Sequence, residues 1–327
     1  MKLSILDQVP VLEGSSPYEA IQASIELAIA GDKLGYTRYW TAEHHDMEEL
    51  ASPAPDILLS QIGARTNRIR IGSGAVLLPH YKPYQIAERY HLLATMFPGR
   101  VDLGVGRAPG GSAEATMALS DNFLENVKQF PNKLDELIAF CYNGFSDEHI
   151  YSKITPNPVA VHPPDIWLLG TSGKSGKLAA EKRVSYAFGH FMSEANGVEI
   201  VREYASEIKA PSPIVAVSVI CAETTEEAEK LAFYHSAKQV WKERRTSVSS
   251  LTTKELKQLD FTSKEKELVE KLRKKMVVGA PDKVKKQLVD LQAMYQVEEL
   301  MLVTITNSYE SRLKSYELIA QEMKLTE

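Results

Sequence analysis

Gly72-Ser-Gly-Ala-Val-Leu-Leu-Pro79 opens a segment that closes on Arg100-Val-Asp-Leu-Gly-Val-Gly-Arg107, with a helical run from Pro83 to Phe97 between them. Two apolar strands, each ending in small residues, flank that helix. Small residues at a strand's carboxyl end let a flat ligand approach the backbone closely. An arginine there suits a phosphate, because a guanidinium holds two oxygens at once. The segment is read as a βαβ unit for a planar, phosphorylated ligand.

The same alternation runs the length of the chain. Strands are expected at Leu3–Asp7, Arg38–Ala42, Ile69–Leu77, Val101–Gly106, Ile166–Leu169, Tyr186–Phe191, Ile214–Cys221 and Leu300–Thr304. Helices are expected at Tyr18–Leu34, Ile57–Ala64, Pro83–Phe97, Asp121–Tyr142, Gly176–Lys182, Glu199–Ile208, Glu226–Trp241, Pro281–Met294 and Ser308–Met323. A Pro-rich crossing from Tyr151 to Pro164 is expected as a hairpin or irregular arm. Eight strands, each followed by a helix, predict an α/β fold closed as a (β/α)8 TIM barrel. One domain over 1–327 is expected, with an insertion before the last helix-strand unit.

That insertion spans Lys242 to Lys275, extended to 277, and carries eleven Lys/Arg against six Asp/Glu. It fits either a solvated surface excursion or a mobile lid over a ligand mouth. The 44% hydrophobic content supplies a core, and no stretch approaches the ~20 apolar residues of a membrane span. No signal peptide is expected, and two cysteines, Cys141 and Cys221, fit a reduced cytoplasmic chain as packing residues. A net charge of −5 argues against a general nucleic-acid surface.

Barrel active sites gather at the carboxyl ends of the strands. Glu43-His-His-Asp46 follow the second strand, Gly74 and Ala75 lie in the third, and Arg107 ends the fourth. Gly170-Thr-Ser-Gly-Lys-Ser-Gly176 follows the fifth, and His190 ends the sixth. The Gly170 turn opens a helix, where backbone amides and the hydroxyls of Thr171, Ser172 and Ser175 suit an anion; otherwise it is a turn and N-cap only. It is not a Walker loop, since Leu168 stands where glycine is needed. Pro109 replaces the third glycine of a dinucleotide fingerprint. His44 suits a general base near neutral pH, or is a packed or capping histidine. His190 leaves the same choice open. No metal spacing is present.

The combination resembles the bacterial luciferase-like family of flavin-dependent monooxygenases, in its single-chain, non-luminescent branch. The resemblance rests on Tyr39-Trp-Thr-Ala-Glu-His-His45, the two strand motifs above, Leu169-Gly-Thr-Ser-Gly-Lys-Ser175 and Val278-Gly-Ala-Pro-Asp-Lys283. It implies reduced FMN from a separate NAD(P)H-dependent flavin reductase, with O2 and a C4a-peroxyflavin oxidising a small, partly hydrophobic substrate. An aldehyde, ketone or sulfur compound fits that description. It implies His44 as the catalytic base, a cis non-proline bond at Gly74–Ala75 under the flavin, and a phosphate held by Arg107, Thr171, Ser172 and Ser175. Gly170 and His190 complete the expected cofactor site, and a homodimer is expected. Gly106 stands where luciferase has a cysteine, His190 where it has a tryptophan, and Thr171 where it has an acid, so light emission is not implied. Hydride transfer with F420 or flavin, and non-catalytic flavin binding, are the alternatives. A phosphate-ligand lyase or isomerase is disfavoured for want of a lysine or carboxylate pair.

Overall fold

The computed structural model describes residues 1–208, 212–244 and 259–326. Its first unit shows how local chemistry sets the elements. Strand β1 (Lys2–Asp7) leads to helix α1 (Pro17–Leu34). Ser16 caps that helix by accepting from the Glu19 amide, and the Glu19 carboxylate accepts from the Ser16 amide at 2.7 Å. Pro17 opens the helix, and Gly35 closes it at φ 95°. Ala20, Ile25, Leu27 and Ala28 turn inward onto the sheet.

The remaining strands are β2 (Arg38–Thr41), β3 (Arg70–Ser73), β4 (Val76–Leu77), β5 (Val101–Gly106), β6 (Asp165–Gly170), β7 (Ser185–Gly189), β8 (Ile214–Cys221), β9 (Val277–Gly279) and β10 (Glu299–Val303). All pair in parallel. The ring β1-β2-β3-β5-β6-β7-β8-β10 closes where β10 meets both β8 (Ile214 opposite Glu299) and β1 (Lys2 opposite Glu299). The fold is the eight-stranded α/β barrel expected from the sequence. Eight parallel strands require crossover helices on the outside, and those helices bury each strand's outer face.

Inside the barrel, Leu6, Trp40, Trp167, Ala216, Met301 and neighbouring residues form a separate core. The Trp40 and Trp167 rings meet edge-on at 5.5 Å between centroids. Toward the strands' amino ends a charge cluster closes the barrel. The Arg38 guanidinium donates to Asp102 at 2.8 Å and to Glu299 at 3.0 Å. Arg70 donates to Asp102 and Asp165, each at 2.5 Å, and Trp40 Nε1 donates to Asp102 at 2.9 Å.

Three expectations need correction. The long helix over Asp121–Tyr142 is two helices, Phe123–Lys128 and Phe130–Tyr142, preceded by a third at Ala113–Leu119. Pro131 sits in the first turn of the later helix, where it lacks the amide that a continuous helix would bond back to Val127, and the break falls at Gln129. The Ile69–Leu77 strand is interrupted between β3 and β4. Strand β9, not foreseen, extends the far end of β8, with Val219 opposite Val277. Within the expected lid, residues 245–258 lie outside the described residues. Ser263–Lys274 forms a helix capped by Thr262, whose hydroxyl accepts from the Glu265 amide.

Candidate active site

At the carboxyl ends of the strands the barrel opens into a cavity of about 440 Å³. Its apolar depth is built from the inner core, with Leu6, Trp40, Ala187, Ala216 and Met301 reaching it. Eight of the nine residues expected at the site line this one cavity: His44, Gly74, Ala75, Arg107, Gly170, Thr171, Ser172 and Ser175.

The floor lies between β3 and β4. The Gly74–Ala75 peptide is cis, as the resemblance implied. A Cβ on Gly74 would stand 2.5 Å from Leu6 Cδ1, so a side chain here would displace Leu6 from the cavity wall. Gly106, at the end of β5, also lines the cavity.

One wall combines charge with a helix start. Arg107 follows β5 and is exposed, with no ion pair among the described residues. The turn after β6 runs into the helix Gly173–Lys182, whose amino end concentrates free amides and the positive end of its dipole. Ser175 is buried and stitches the turn: its Oγ donates to the Ser172 carbonyl at 2.7 Å and lies 3.0 Å from the Tyr186 hydroxyl. A Cβ on Gly170 would collide with Ser175 Oγ at 2.1 Å, which explains the glycine. Lys174 brings a second cation to the cavity. Ser193 Oγ donates to the Thr171 carbonyl at 2.8 Å, and the Lys275 ammonium donates to the Ser193 carbonyl at 3.0 Å. The described end of the insertion is thereby tied to this rim.

The opposite wall is the loop after β2. The His44 amide donates to the Ser52 carbonyl at 3.0 Å, and its ring Nδ1 is buried without a hydrogen-bond partner. Burial holds the His44 imidazole below the usual histidine value of 6.5, while the neighbouring Glu43 pulls the other way. A neutral ring with one unengaged nitrogen is able to accept a proton at neutral pH.

His190 is placed differently. It is not among the residues lining the cavity; Nδ1 lies 2.7 Å from the Tyr295 hydroxyl on the helix Pro281–Tyr295. Its neighbours Gly189, Phe191 and Met192 reach the cavity instead. Burial, with Lys275 adding to it, lowers the His190 pKa. Cys141 and Cys221 are buried, and burial pushes both thiols up to about 12, in keeping with packing roles. Among the described residues no group of three His, Cys, Asp or Glu side chains is placed to hold a metal. Among the described residues no helix is long and apolar enough to cross a membrane.

The sequence reading missed Gln8, Val127 and Phe130, which also line the cavity. Gln8 follows β1 and was open to the same strand-end rule. Val127 and Phe130 were not, because they lie on the helices after β5 and not at a strand end.

The luciferase-like monooxygenase family profile matches residues 1–296. N-acetyl-S-alkylcysteine monooxygenase of Bacillus subtilis (strain 168) is 36% identical over 98% of this chain and 97% of its own length. The crystal structure of apo-MsnO8 superposes with a TM-score of 0.85 at 33% identity, over 99% of this chain and 98% of that one. More distantly, the oxygenating constituent of 3,6-diketocamphane monooxygenase from Pseudomonas putida, solved with FMN, shares the fold at TM-score 0.70 and 19% identity, over 98% of this chain and 97% of that one. This chain belongs to the luciferase-like monooxygenase family and is an oxidoreductase on that family's barrel.

Proposed function

We propose that the chain uses reduced FMN and O2 to oxidise a small, partly hydrophobic organic molecule, with the flavin supplied by a separate NAD(P)H-dependent reductase. The observation that carries this reading is the single cavity shared by His44, the Gly74–Ala75 floor, Arg107 and the Gly170–Ser175 turn. The residues fit the group. A side-chain-free floor at Gly74 and Gly106 suits a flat ring system, and apolar depth suits its dimethylbenzene part. Arg107 and Lys174, beside the amino end of a helix, suit its phosphate.

Reduced flavin, when bound, supplies the activation of O2. The chain's own residues do the rest. Arg107, Thr171 and Ser172 anchor the anionic tail, and Ser175 keeps their turn closed through the Ser172 carbonyl. His44 takes or returns a proton at its free Nδ1. Leu6, Trp40 and Phe188 keep water from the reacting face. His190 acts here from outside the cavity, holding the Phe191–Met192 edge through Tyr295.

The sulfur-compound class is the first to try, since a 36% identical relative is an N-acetyl-S-alkylcysteine monooxygenase. Residues 1–327 work in this reading as one domain in the cytoplasm, as a homodimer, with the end of the insertion bordering the mouth. The test is binding of FMN, reduced FMN and F420 in turn, followed by an O2-dependent product screen on thioethers, aldehydes and ketones. Binding of F420 alone would replace this reading with hydride transfer. Flavin binding with no product and no O2 use above a reductase control would leave a carrier.

A further inference from the structure

Glu43 is a buried carboxylate, 3% exposed, in the wall of the cavity. Such a group is stable only when its oxygens are fully engaged, and here the partners come from separate parts of the chain. Oε2 accepts from the Leu77 amide in β4 at 3.1 Å. Oε1 accepts from the Tyr81 hydroxyl at 2.8 Å and lies 2.8 Å from His45 Nε2. Leu77 belongs to the two-residue strand that carries on from the Gly74–Ala75 floor. His45 and Glu43 flank His44. One carboxylate therefore spans the gap between the proton-handling histidine and the seat of the ring.

We propose that Glu43 is a positioning residue that holds the His44 loop and the Gly74–Leu77 floor at a fixed separation. The role rests on the reading of this floor as the flavin seat. Its geometry separates it from general scaffolding. The loop keeps other anchors, the His44 amide to Ser52 and the His45 amide to the Gly110 carbonyl at 2.8 Å, neither of which reaches the floor. Strand β4 in turn pairs with β5, with Val76 opposite Val105. The Gly74 amide donates to the Thr41 carbonyl at 2.8 Å and ties the near edge of the floor to the end of β2; past that point Glu43 provides the hydrogen bond between the His44 segment and Leu77. Its charge also lies beside the His44 ring. The other ionisable groups acting on that ring are His45 and Glu49 on the same segment, while Arg107, just after β5, and Lys174, in the helix after β6, share the cavity.

The test uses the full chain without cofactor. In Glu43→Gln the amide-for-carboxylate change removes the negative charge and leaves too few acceptors for all three donors. Hydrogen exchange at the Leu77 amide should then speed up about tenfold, as expected for a lost bond to a charged acceptor. Exchange at Ile71, whose amide is tied to the Arg100 carbonyl, should not change. The His44 ring, followed by NMR, should titrate at lower pH once the carboxylate is gone, a change that mere loss of packing would not produce. Should the Gln protein fail to fold, Glu43→Asp, too short to span both walls, carries the same exchange expectation. Unchanged protection at Leu77, or in the Gln protein an unmoved His44 titration, overturns the role. Failure to bind FMN would sink the functional reading alone and leave these apo measurements standing.

Discussion

The two ends of this barrel are made from the same strands and treat charge in opposite ways. At the amino end, Arg38 and Arg70 are matched by Asp102, Glu299 and Asp165, and the Trp40 indole donates to the same Asp102. At the carboxyl end, Arg107 has no ion pair among the described residues, Lys174 faces the same cavity, and His44 Nδ1 is buried and unengaged. A buried charge is tolerated when its partners are built in. Polar groups left open in a concave site have partners that arrive from outside. The first end closes the fold, and the second end keeps its polar groups open to the cavity.

The largest expected effect lies at the closed end. Asp102→Asn takes a buried carboxylate away from two part-buried guanidiniums and should lower unfolding stability by about 3 kcal/mol in a denaturant titration. Flavin affinity of the surviving folded protein should stay the same. A wild-type midpoint would break the contrast between the ends.

His44→Ala is expected to do the reverse, keeping stability and flavin affinity but slowing turnover by roughly 10²–10⁴. In the wild type, burial places the His44 pKa below 6.5, so the neutral, proton-accepting ring is present at and above that pH and is lost only as pH falls further. The acid limb of turnover should therefore lie below 6.5. Equal product yield in mutant and wild type, or an acid limb above neutrality, contradicts this assignment.

Arg107→Ala should be the mildest, weakening FMN binding by about 1.5–3 kcal/mol, the scale of a lost charged hydrogen bond. Thermal stability should barely change, since Arg107 is exposed and makes no ion pair among the described residues. Unchanged affinity in a fluorescence titration would move the phosphate away from this wall. A large loss of stability instead would mean that Arg107 is structural and that the open end is less open than described.

Most of the barrel was legible because its strands are short apolar runs and its helices carry their own start signals, such as Ser16-Pro17 before α1. The site was legible in outline because strand order and strand ends follow from topology alone. What escaped was anything set by the meeting of distant segments. The helix whose apolar spacing read as continuous is interrupted at Gln129, just before Pro131, and Val127 and Phe130 on either side of the break line the cavity. His190 ends the right strand, yet it engages Tyr295 more than a hundred residues away.

Sequence by itself determined the parallel barrel, the small residues at the ends of its third and fourth strands, and the presence of Arg107, His44 and a hydroxyl-rich turn at its rim. These follow from local periodicity and chain order, which neighbouring residues dictate. Only the tertiary structure decided which rim groups are satisfied and which stay open: Glu43 and Ser175 bonded within the wall, His44 Nδ1 without a hydrogen-bond partner and Arg107 without an ion pair among the described residues. Hydrogen-bond saturation depends on distances between segments far apart in the chain, and those exist only once the ring has closed.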